Sequence, residues 1–73
     1  MILQSLMTPE ERRGVLRDML RLIQLQADLA QASADLAVEV GLPTTQQSAD
    51  LARLAAERHQ YESELAAMDK EAR

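Results

Sequence analysis

The stretch Glu39-Val40-Gly41-Leu42-Pro43-Thr44-Thr45-Gln46-Gln47 decides the fold of this chain. Gly41 can take the left-handed conformation that ends a helix, and Leu42 can fold back on Ala37. Pro43 forbids continuation, because it lacks an N–H and its ring fixes φ. Thr44 then offers a side-chain oxygen to a new helix, with Gln47 three residues on as its reciprocal capping partner. A stop and a restart this close together turn the chain back on itself, since short helix connections favour antiparallel neighbours.

Upstream, Thr8-Pro9-Glu10-Glu11 is a dense helix start. Thr8 caps, Pro9 suits the first helical position, and Glu11 is placed to reach back to the Thr8 backbone. The two acids also sit at the positive end of the helix dipole. From there only Gly14 interrupts good helix formers as far as Val40. The spacing predicts an apolar lead-in over 1–7 and one helical hairpin domain over 8–73. Within that domain a helix runs over about 9–40, a turn over 41–44 and a second helix over about 45–72. The first helix, at ~1.5 Å per residue, should reach roughly 45 Å.

Composition agrees with an all-α chain. Ala, Leu, Gln, Glu and Arg dominate, with two Gly and two Pro among 73 residues. Tyr61 is the only aromatic, so Leu, Ala, Ile, Val and Met must build the core. Cysteine is absent, which excludes disulfides and thiolate sites and fits a reducing compartment. No apolar run approaches the ~20 residues needed to span a bilayer, and the first seven residues lack the basic leader of a signal peptide. A cytoplasmic location is expected.

Four apolar pairs recur every seven residues along the first helix: Val15-Leu16, Leu22-Ile23, Leu29-Ala30 and Leu36-Ala37. A seven-residue recurrence keeps one face turned toward a partner helix. Two adjacent stripes, widened by Met19, Leu20 and Leu25, exceed what one returning helix can cover. We assign Val15, Met19, Leu22, Leu29 and Leu36 to the hairpin. Leu16, Leu20, Ile23 and Ala27 are then left for an oligomer or partner interface, with Ile2, Leu3 and Leu6 of the lead-in beside them. Pairing of two hairpins through this edge gives a four-helix bundle.

The second helix carries a narrower seam: Leu51, Leu54, Arg58, Tyr61, Leu65, Met68 and Ala72. Antiparallel pairing about the turn predicts facing residues whose numbers total about 85. Leu22 and Ile23 then face Tyr61 and Glu62, Met19 faces Leu65, and Gln26 lies near Arg58 and His59 as a polar layer. Small residues cluster near the turn and bulky ones at the open end. Folding back also brings Arg12, Arg13, Arg17 and Arg21 toward Glu64, Asp69 and Glu71.

Site chemistry is sparse. His59 is the only histidine, and with Glu62 it makes a poor ligand set, so no metal site and no cofactor are expected. Ser5, Ser33, Ser48 and Ser63 lack glycine-framed turns and an activating His-Asp pair, and no phosphate-cradling glycine loop occurs. No catalytic residue can be named, and an enzyme is not expected. Arg13, Arg17 and Arg21 stand at four-residue steps and form the alternative site, a phosphate-tracking ridge of a dimeric RNA- or DNA-binding regulator. Twelve acids against eight bases, a net charge of −4, and the missing stacking aromatics weigh against it. A membrane-lying helix lacks aromatic anchors. The leading expectation is a non-catalytic protein–protein interaction module, a small adaptor, co-chaperone or inhibitor. It would act through helix surfaces as a homodimer and on another protein.

Overall fold

A computed structural model describes residues 7–71. Two helices make up the described chain: α1, Pro9–Glu39, and α2, Thr45–Glu71. They pack side by side as a hairpin, in a body of 51 × 23 × 16 Å. Interface expectations for Ile2, Leu3 and Leu6, and the seam position Ala72, lie outside the described residues.

Local chemistry sets the helix ends. Thr8 is extended, with φ −71° and ψ 157°, and its hydroxyl oxygen accepts from the Glu11 N–H at 3.1 Å. The Glu11 carboxylate accepts from that same hydroxyl at 3.0 Å, rather than from the Thr8 backbone N–H as the capping box would have it. One side chain therefore both caps the helix and anchors the acid.

At the other end of α1, the Leu42 N–H donates to the Ala37 carbonyl at 2.8 Å and the Gly41 N–H to the Val38 carbonyl at 3.2 Å. These two bonds are the paired closure of a Schellman motif, and they satisfy carbonyls that the helix end leaves open. Gly41 has φ +74°, and a Cβ added there would meet nothing within 4 Å. The cost of a side chain at Gly41 is therefore one of backbone conformation alone. We expect Gly41→Ala to destabilise the hairpin by about 1–2 kcal/mol, read as a lowered urea midpoint with an unchanged slope. A neutral result would show that the turn does not depend on the left-handed residue.

The register differs from the expected one. Arg13 pairs with Asp69 at 3.5 Å, Gln47 donates to Ser33 Oγ at 3.1 Å, and Arg58 donates to Gln24 Oε1. Facing residues thus total about 80 to 82 instead of 85, so the fold-back is centred on Gly41 rather than midway along the 41–44 turn. The helices are displaced by about one turn relative to that expectation. Gln24, not Gln26, meets Arg58, and Met19 lines a groove with Tyr61. Gln47 does not cap α2; its amide crosses to α1 instead.

The core is small. Among the described residues, Leu16, Ile23, Ala37 and Leu54 are buried, with Leu54 at 2% exposure and Ile23 at 3%. Leu20, Ala27, Ala30 and Ala34 of α1 lie half-buried in the same row, opposite half-buried Leu51, Tyr61, Leu65 and Met68 of α2. Arg58, expected within the seam, is exposed.

Candidate interaction surface

Apart from Met19, expected inside and half-buried, the two stripes of α1 exchange roles relative to the sequence reading. Leu16 and Ile23, expected at an outer interface, are buried inside the hairpin, and Leu20 and Ala27 are half-buried beside them. Val15, Leu22, Leu29 and Leu36, expected inside, face outward, with Leu22 at 52% and Leu29 at 72% exposure. The reason lies in the turn. Residues 40–44 are too few to let the helices splay near the fold-back, so α1 must present its smallest side chains to α2. Ala30, Ala34 and Ala37 allow that approach, whereas Leu29 and Leu36 would wedge the helices apart. Once the alanines face inward, helical periodicity carries Ile23 and Leu16 in with them.

The outward stripe is continuous. Leu25 lies beside Leu22 and Leu29, at three- and four-residue steps along one helix face, and is exposed as well. Toward the turn the apolar surface extends through Val38, Val40 and Leu42, all exposed. Leu42 folds its backbone onto Ala37, yet its side chain stays in solvent.

Polar groups frame this stripe in an ordered way. Gln24 donates to Asp28 at 2.8 Å and Gln31 to Asp35 at 3.1 Å, each one helical turn on. Such pairs stabilise a helix surface modestly. Because Arg58 donates to Gln24, a relay runs from α2 through Gln24 to Asp28. On α2, Gln46 donates to Asp50, and Arg53 sits between Asp50 at 3.8 Å and Glu57 at 3.5 Å. A groove of about 340 Å³ between Leu29, Ser33, Gln47 and Arg53 borders the stripe and opens broadly to solvent. In it the Gln47 amide oxygen is covered and has no hydrogen-bond partner.

The arginine row is not a uniform ridge. Arg13 leans onto α2, half-buried against Asp69, while Arg17 and Arg21 are exposed and form no ion pair among the described residues. His59 is exposed, and no group of three His, Asp or Glu side chains among the described residues could hold a metal ion. No described helix is long and apolar enough to cross a membrane.

No family model matches the chain, and the searches of curated proteins and of solved structures likewise return no match.

Proposed function

We propose that this chain is a non-catalytic protein–protein interaction module, of the adaptor, co-chaperone or inhibitor kind, that works through the outer face of α1 as a homodimer. In that assembly two hairpins pair into a four-helix bundle, and the apolar rim at Val38, Val40 and Leu42 is left for a further protein. One observation carries the reading: with the hairpin closed, Val15, Leu22, Leu25, Leu29 and Leu36 still form an exposed apolar stripe. A chain of this size gains little from its own core. Burying what remains exposed of each leucine contributes about 1–2 kcal/mol, so a covered stripe changes whether the fold is stable.

Two measurements test this reading. Solution mass should correspond to two chains, and capture on the purified protein should retain a protein partner whether or not nuclease is added. The outcome that sinks the proposal is retention on RNA or DNA that weakens with salt and is lost in Arg17→Glu. That result would assign the function to the arginine row instead.

A further inference from the structure

We infer that the outer stripe of α1 is covered by a second copy of this chain running antiparallel, with Arg21 of each copy set against the acidic flank of the other. This inference rests on the interaction reading above and names the partner of that surface.

The stripe has the spacing of a coiled-coil seam. Val15, Leu22, Leu29 and Leu36 hold one apolar position of the heptad, and Asp18, Leu25, Ala32 and Glu39 hold the other. In a parallel pair each position meets its own copy. Asp18 would face Asp18, Glu39 would face Glu39, and Arg21 would flank Gln26 without reaching a carboxylate. Antiparallel pairing sets the two positions against each other, so Asp18 opposes a leucine and neither Asp18 nor Glu39 meets its own copy. Leu22 then packs on Leu25 of the other copy, and Val15 on its Ala32.

The flank settles the direction. Arg21, Asp28 and Asp35 occupy one edge of the seam at seven-residue steps, and an antiparallel pair brings this edge against itself. The register that places Arg21 opposite Asp28 joins unlike charges at both ends, whereas a slide of one heptad, to Arg21 opposite Asp35, would set Asp28 against its own copy. The first half of α1 holds Arg12, Arg13, Arg17 and Arg21, while no base occurs from Leu25 through Ala52. A helix polarised in this way is self-complementary when the two copies run antiparallel, an isologous two-fold arrangement. Asp28 and Asp35 each accept a hydrogen bond from a glutamine of their own helix, which holds them along this edge. A carboxylate has acceptor capacity left for a guanidinium.

Because the natural chain has no cysteine, single cysteines report direction. Chains carrying Val15→Cys should not form a disulfide with themselves, but should cross-link to chains carrying Ala32→Cys in preference to Glu39→Cys. Arg21→Glu should raise the dimer Kd about tenfold or more, and adding Asp28→Arg with Asp35→Arg should restore it to within about threefold. Ready self-cross-linking of Val15→Cys, or an Arg21→Glu chain that dimerises normally, overturns the antiparallel copy. A monomeric chain whose Leu29→Glu variant loses a foreign protein also overturns it, and with it the homodimer, while leaving the stripe as a surface for another protein. Loss of neither self-association nor foreign binding in Leu29→Glu removes both.

Discussion

Leu54→Ala should cost about 2–5 kcal/mol and leave the chain largely unfolded at room temperature. Leu54 is the most completely buried side chain of the hairpin, at 2% exposure. It stands where α2 meets Ala27, Ala30 and Ile23, lining grooves on both sides of the seam. Truncating a buried leucine forfeits its transfer energy and leaves a cavity, with that range of cost. Here the whole buried core among the described residues is four side chains, so the loss is a large share of the marginal total. Circular dichroism during urea titration reads it directly. A penalty under about 1 kcal/mol would mean that the interhelix seam is not packed around Leu54.

The second large effect belongs to the outer stripe of α1. Leu22→Glu combined with Leu29→Glu should abolish association while leaving both helix caps and the inner row intact. Four leucines lose burial across the two copies, about 4 kcal/mol or more, which is roughly a thousandfold in Kd. Concentration separates this effect from the first. The Tm of the natural protein should rise with protein concentration, because the associated state is favoured by mass action. The double variant should melt lower and at a temperature independent of concentration. If the natural protein melts at the same temperature across a hundredfold dilution, the outer stripe is not a self-association surface.

These contrasting expectations would have been assigned to the wrong residues from periodicity alone. The paired recurrence Leu22-Ile23 and Leu29-Ala30 identifies two apolar stripes about 100° apart on one helix, and both repeat every seven residues. Nothing in the period ranks them. The alanines near the turn carried the missing signal, because a short connection admits only small side chains where the helices first meet. That signal is legible in the sequence, although leucine content points to the other stripe. The register is decided nearby: the fold-back pivots on Gly41, whose φ of +74° and whose closing hydrogen bond, beside that of Leu42, make it the centre of the turn.

The arginines show the same division. Their four-residue spacing reads as one basic ridge. Arg13, however, lies on the side of the helix that α2 covers, and Asp69 takes it up. The pairing depends on which carboxylates the register brings alongside, and that is a property of two helices rather than of one.

The chain's local chemistry specifies two helices, a stop at Gly41 and Pro43, and a return in the opposite direction. Each of these features depends on backbone sterics and capping over a few adjacent residues. Packing across the hairpin settles which stripe of α1 turns inward, how far the helices slide, and which charges meet. Those outcomes depend on side-chain volume summed across the interface, where Ala30, Ala34 and Ala37 fit against α2 and Leu29 and Leu36 do not. The surface left exposed, and with it the proposed function, is therefore a consequence of that fit.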